Sequence, residues 1–213
     1  MADDVENVAC QLGLGRYVLV GHSMGGKVAQ IVAARRPKEL VGLMLIAPAP
    51  PTPMPVPENV RAGMLQQYSS RAGVLEALAV LGGESLSSEL REQVIEDTLR
   101  GAPAAKRAWT ERNMIEDVSA GLSEVTVPVT VVIGDRDQVE HEPALREIFA
   151  RFLPQATFGV LKGIGHLSPL EAPNELADAS KDMLHSLCAN EDYDVAFWPF
   201  STLAATQQYV RVR

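Results

Sequence analysis

The stretch Tyr17–Gln30, YVLVGHSMGGKVAQ, runs from four apolar residues through a Gly-His-Ser-Met-Gly turn straight into helix-forming sequence. The apolar run shows no polar alternation, which marks a parallel strand covered on both faces. A G-x-S-x-G pentapeptide placed between a strand and a helix puts its serine on a tight, strained turn. Gly21 and Gly25, two positions either side, are expected to keep side chains clear of the strand and helix that converge there, and Gly26 adds room for the helix. The Met24 N–H, at the positive end of that helix, then points toward an oxyanion formed on a carbonyl attacked by Ser23. The plain alternative is a glycine-rich turn whose serine caps the helix.

A serine hydroxyl is a poor nucleophile unless a base takes its proton, so this reading demands a histidine and an acid further along. GIGHLSPLEAP, Gly163–Pro173, sets His166 in a glycine-bearing loop after an apolar run, where an imidazole can reach back across strand ends. VVIGDRDQVE places Asp135 and Asp137 directly after another such run. Of the remaining histidines, His22 adjoins the nucleophile and is expected to shape the turn. His141, between Glu140 and Glu142, reads as solvated, and His185 reads as a helix-surface residue. No His/Asp/Glu/Cys grouping has metal-ligand spacing.

The rest of the chain sets these residues in a rhythm. Residues 3–14 place Val5, Val8, Ala9 and Leu12 at helical spacing and lead into the strand at Tyr17–Val20. Residues 27–36 continue as helix to Pro37, and LVGLMLIA, Leu40–Ala47, is a second two-sided strand. Pro48–Pro57 then holds six of the chain's fourteen prolines, which excludes helix and central strand. Residues 58–117 read as all helical, in segments near 58–69, 73–81, 86–99 and 104–116, punctuated by Gly73, GGES and GAP. The α/β rhythm resumes at Pro128–Asp135, passes a helix near 142–152, a strand at Ala156–Lys162 and a final helix from Pro173 to about Leu187. The last 25 residues carry five of the eleven aromatics without helical period, though Tyr209–Arg213 alternates as a half-buried strand would. A frayed terminus is the plainer expectation there.

With 213 residues and 46% hydrophobic content the chain can bury one substantial core. A net charge of −8, with no clustered lysines or arginines, speaks against a nucleic-acid partner. The N-terminus lacks a basic-then-apolar leader and no run approaches a membrane span, so a cytoplasmic location without membrane association is expected. Cys10 and Cys188 have neither disulfide-framework nor zinc spacing and are read as buried small apolar residues.

Together these residues resemble the α/β-hydrolase fold family, in its large branch with a helical cap, from Asp3 to about Leu187. The motifs fall in that family's order of serine, acid, histidine: Gly21-His22-Ser23-Met24-Gly25-Gly26, then Gly134-Asp135-Arg136-Asp137, then Gly165-His166 followed by Leu170-Glu171-Ala172-Pro173. The family's glycine with aspartate three positions later favours Asp137 over Asp135 as the acid. The resemblance implies an α/β fold with a parallel sheet of about four strands. It divides the chain into a core of residues 1–49 and 118–188, a helical cap of 50–117, and an atypical tail of 189–213. It further implies a cofactor-free serine hydrolase: Ser23 as nucleophile, His166 as base, Asp137 orienting His166, the Met24 N–H as oxyanion donor, and a small or medium ester or lactone as substrate. A serine at the turn argues against the epoxide hydrolases and haloalkane dehalogenases, which use aspartate there.

In that fold the nucleophile strand is the fifth of eight, whereas sixteen residues precede Tyr17. The chain therefore resembles the C-terminal part of the family only. The second oxyanion donor, from a loop after the third strand, is expected to be missing. Residues Tyr17–Val20 are expected to form an uncovered apolar edge open to self-association. Two further readings accompany the esterase: a perhydrolase of the haloperoxidase-like kind, with peroxide in place of water, and a non-catalytic product acting as an interaction module.

Overall fold

A computed structural model describes residues 1–82, 85–188 and the strand segments 195–197 and 209–212. Helix α1 (Ala2–Gln11) leads to β1 (Tyr17–His22), α2 (Met24–Ala34) and β2 (Leu40–Ile46). Four helices follow, α3 (Glu58–Gln67), α4 (Arg71–Val80), α5 (Ser88–Arg100) and α6 (Pro103–Ala108), the last running on through a π turn at Trp109–Asn113. Then come β3 (Val129–Gly134), α7 (Glu142–Phe152), β4 (Thr157–Leu161), a short α8 (Ser168–Glu171) and α9 (Pro173–Cys188). Strands β5 (Val195–Phe197) and β6 (Tyr209–Val212) complete a six-stranded sheet in the order β4-β3-β2-β1-β6-β5.

Strands β1 to β4 are mutually parallel, as two-sided apolar runs joined by helices require. Their alternate residues feed two cores. Tyr17, Leu19, Leu43, Leu45, Val131 and Ile133 face α1, α2 and α7, where Val5, Val32 and Phe149 are buried against them. Val18, Val20, Met44, Ile46 and Val132 face α9 through Leu176, Met183 and Leu184. Each such buried side chain stabilises the fold by roughly 1.5–3 kcal/mol, so the double-faced sheet is the rigid platform for whatever its strand ends carry.

Helix α1 differs from expectation in its buried stripe. Ala2, Val5 and Ala9 are buried, whereas Val8 and Leu12 are 40% and 55% exposed. Two turns carrying Ala2, Val5 and Ala9 suffice to seat the helix on α2. Cys10 is exposed, not buried, because it lies on the outward face of α1; the side chain of Cys188 lies outside the described residues.

The sheet edge also departs from expectation. Strand β6 runs antiparallel to β1, pairing Tyr17 with Arg211, Val18 with Val210 and Leu19 with Tyr209, and β5 pairs with β6 in turn. The first half of β1 is thus paired and is no open edge. The alternating Tyr209–Val212 segment forms the strand its pattern allows. Tyr193, Trp198 and Phe200, like Gly83 and Glu84 of the GGES turn, lie outside the described residues.

The four helices between β2 and β3 have a thin core of their own. Helix α3 buries no residue. Val74, Leu78, Leu86 and Ile95 form a small cluster that leans on Leu167 and Leu170, and Met54 and Met114 form another with Ala49. These helices depend on the sheet's C-terminal loops for part of their apolar burial.

Candidate active site

At the end of β1 the backbone turns at Ser23 with φ 52° and ψ −119°, a conformation costly for any non-glycine residue. Neighbouring contacts hold it there: Ser23 N–H donates to the Ile46 carbonyl at 3.0 Å, and the Ser23 carbonyl accepts from Gly26 N at 2.9 Å and Ala49 N at 3.0 Å. A Cβ on Gly21 would lie 2.4 Å from the Gly25 carbonyl oxygen, and one on Gly26 would lie 2.6 Å from Pro48 Cβ. Gly25 itself has open space where a Cβ would stand, so the close approach expected of it belongs to its neighbours alone. Ser23 does not cap the helix with its side chain, which disposes of the capping alternative. The Met24 N–H sits in the first turn of α2, where the helix offers no internal acceptor.

The Ser23 hydroxyl instead meets His166. His166 Nε2 lies 2.8 Å from Ser23 Oγ, and His166 Nδ1 lies 2.8 Å from Asp137 Oδ2. The histidine and aspartate side chains are 3% and 0% exposed. A carboxylate accepts and does not donate, so Nδ1–H faces Asp137 and the Nε2 lone pair is left to receive the serine proton. The other carboxylate oxygen, Asp137 Oδ1, accepts from Val139 N at 2.8 Å and Glu140 N at 2.9 Å, which fixes the acid in the loop after β3.

Asp135 is occupied elsewhere. Its Oδ1 accepts from Gly163 N at 2.6 Å, bracing the base of the histidine loop. A Cβ on Gly134 would meet the Ile164 carbonyl oxygen at 2.1 Å, so the glycine that precedes Asp137 by three lets β3 and this loop touch. His22 is buried and donates from Nε2 to the His166 carbonyl at 2.8 Å. Burial, and then the charge of His166, push the His22 imidazole down to about 4, so it remains neutral near pH 7 and serves as a brace for the turn. His141 and His185 are exposed, as their settings in the sequence implied.

Two buried ionisable groups beside the site carried no sequence signal. Glu140 is 7% exposed. Its carboxyl is pushed up to about 8 by burial first and Asp137 second, with Lys27 pulling the other way. Lys27, one turn along α2, is also buried; its ammonium donates to the Glu116 carbonyl at 2.6 Å and more weakly to Thr52, and burial lowers its pKa. Beside Met24 a cleft of about 400 Å³ opens between α2 and the helices before β3, lined by Lys27, Val28, Ile31, Ala108 and Trp109. Among the described residues no group of histidine, cysteine and carboxylate side chains could hold a metal ion.

A strand-borne serine in strained geometry, hydrogen-bonded to a histidine that is hydrogen-bonded to an aspartate, now has its context. The alpha/beta hydrolase family model matches residues 1–179. The chain belongs to the alpha/beta hydrolase family. Among related proteins, Lipase 1 of Psychrobacter immobilis is 24% identical over 181 residues, covering 79% of this chain and 56% of the lipase. Monoacylglycerol lipase abhd6-A of Xenopus laevis is 25% identical over 204 residues, covering 85% of this chain and 59% of that protein. A solved thermophilic esterase from Thermogutta terrifontis superposes with a TM-score of 0.73 at 27% identity, over 87% of this chain and 71% of the esterase. The chain thus spans little more than half the length of these curated relatives, and no described helix is long and apolar enough to cross a membrane.

Proposed function

We propose that this alpha/beta hydrolase cleaves carboxylic esters through an acyl-enzyme on Ser23. In this reading Ser23 Oγ attacks the ester carbonyl as His166 Nε2 takes its proton. Asp137 holds the imidazole in the tautomer that permits this and stabilises the imidazolium once formed. The Met24 N–H donates to the developing oxyanion, His166 returns the proton to the departing alcohol, and water then repeats the sequence on the acyl-enzyme. The helices at 50–117 act as a cap over the strand ends, and the cleft beside Met24 offers an apolar wall for an acyl or alcohol chain.

The observation that carries the proposal is the unbroken relay from Ser23 through His166 to Asp137, with both hydrogen bonds at 2.8 Å and the lower two members buried. The lipases and the esterase it resembles support an ester as substrate, with acylglycerol-like esters the natural first class to try. The test is a panel of p-nitrophenyl and glycerol esters of rising chain length. Turnover by the wild type that vanishes in Ser23→Ala bears the proposal out; turnover that survives Ser23→Ala defeats it.

A further inference from the structure

The loop that carries His166 is held residue by residue. Gly163 N–H is bound by Asp135, the Ile164 carbonyl by Arg136 N–H at 2.9 Å, and the His166 carbonyl by His22. Those anchors come from the sheet's own strand ends. The remaining two lead away from the sheet, one directly to the inserted helices and one through Glu171 of α8. Leu167 N–H donates to the Leu81 carbonyl at 3.2 Å, and Gly165 N–H donates to Glu171 Oε2 at 2.9 Å. The same Glu171 oxygen accepts from Ser85 Oγ at 3.0 Å. Leu81 and Ser85 both belong to the turn that joins α4 to α5, so one carboxylate oxygen bridges the histidine loop and the inserted helices.

The packing at this junction is as close as backbone allows. Gly82 has φ 86°, and a Cβ placed on Gly165 would lie 2.9 Å from Gly82 Cα and 3.1 Å from Glu171 Oε1. Leu167 and Leu170 continue the contact into the cluster of Val74, Leu78, Leu86 and Ile95. Glu171 Oε1 is buried and has no hydrogen-bond partner among the described residues, a cost the fold tolerates for a carboxylate whose other oxygen bonds both sides.

We infer that Glu171 is a positioning residue that latches the α4–α5 turn onto the His166 loop, so that the inserted helices and the imidazole are held as one unit. It touches neither substrate nor the reacting atoms; it acts through Gly165 and thereby on the adjacent His166. Its effect on chemistry rests on the acyl-enzyme reading above, whereas the latch itself does not. Gln at this position keeps an oxygen that accepts from Gly165 N–H and Ser85 Oγ. Ala keeps neither bond and leaves the Gly165 amide unpaired.

The test compares wild type, Glu171→Ala, Glu171→Gln and Ser85→Ala by amide hydrogen exchange and by the concentration dependence of the rate of Ser23 labelling with a fluorophosphonate. Glu171→Ala is expected to speed exchange at least tenfold in peptides covering both 81–85 and 163–168, while α7 and α9 keep wild-type protection and Glu171→Gln restores both segments. Ser85→Ala is expected to loosen the 81–85 peptide more than the 163–168 peptide. In labelling, Glu171→Ala is expected to lower the limiting rate of Ser23 modification at least tenfold while leaving the half-saturating probe concentration unchanged, and Glu171→Gln is expected to restore it. A merely destabilising change would lower the rate only in proportion to the folded fraction, which circular dichroism reads in the same sample. Exchange at 81–85 unchanged in Glu171→Ala, or loosening equal in the Gln variant, overturns the latch. Absence of wild-type labelling would count against the acyl-enzyme reading alone, since the exchange result decides the latch without it.

Discussion

The two aspartates after β3 are separated by a single residue and do different work. Asp137 receives Nδ1–H of His166 and two backbone amides; Asp135 receives the Gly163 amide. Asp137→Asn replaces an acceptor facing Nδ1 with a group that can present a donor, which favours the wrong tautomer. Ester turnover is expected to fall by up to ~10⁴-fold. Asp135→Asn keeps an oxygen for Gly163 and should cost less than about tenfold; the reverse ranking in steady-state kinetics would reassign the acid. Glu140 supplies a stability prediction at the same scale. Its carboxyl titrates near 4.5 when unfolded and near 8 when folded. The folded form is therefore favoured in full below pH 4.5, loses that advantage as pH rises toward 8, and is level above it. The loss amounts to roughly 3–5 kcal/mol for a raised group of this kind. Glu140→Gln cannot titrate, so its stability relative to wild type should climb between pH 5 and pH 8.5 in urea unfolding. A difference that is flat with pH would show that Glu140 ionises normally. The three residues that the structure brings together, Ser23, His166 and Asp137, were legible in the sequence because each has a spacing signature. Glu140 and Lys27 were not, because burial of an isolated charge leaves no mark in spacing.

At the scale of elements, the strand-to-helix turn between β1 and α2 concentrates the constraints. Gly21→Ala would press a methyl into the Gly25 backbone at 2.4 Å and is expected to cost about 1–3 kcal/mol in thermal or urea unfolding. Gly25→Ala meets nothing within 4 Å and enters the first turn of α2, so it should be neutral or stabilising by up to about 1 kcal/mol. Equal destabilisation by the two substitutions would contradict this reading of the turn. The comparison also shows where sequence reasoning stops. A G-x-S-x-G pattern announces the turn, but which glycine is there for space depends on how Pro48 and the helix backbone come to rest against it. The parallel strands were readable for the opposite reason: two-sided burial writes itself into the sequence as apolar runs at Tyr17–Val20, Leu40–Ala47 and Val131–Ile133. In α1 the spacing set Val8 and Leu12 beside Val5 and Ala9, yet the buried stripe runs through Ala2, Val5 and Ala9 and leaves Val8 and Leu12 exposed.

Across the whole molecule, one sheet carries the relay at the C-terminal ends of β1, β3 and β4 while its far side is closed by the antiparallel β6 and β5. Periodicity alone left that closure open, because a four-residue alternating segment pairs only where an apolar edge is offered to it. Deleting residues 190–213 would strip the pairing from Tyr17, Val18 and Leu19 and uncover an apolar strand. A lower unfolding temperature and faster aggregation are expected in thermal scanning and light scattering; unchanged behaviour would show that the pairing adds nothing to stability. The central claim is that this platform activates Ser23 toward acyl chemistry, and its most direct measurement is covalent. The folded chain is treated with a fluorophosphonate at neutral pH, digested, and the modified residue located by mass spectrometry, with Ser23→Ala and His166→Ala treated in parallel. The adduct is expected on Ser23, absent from Ser23→Ala and strongly diminished in His166→Ala. Modification elsewhere in the chain, or on Ser23 at the same rate without His166, would contradict the account.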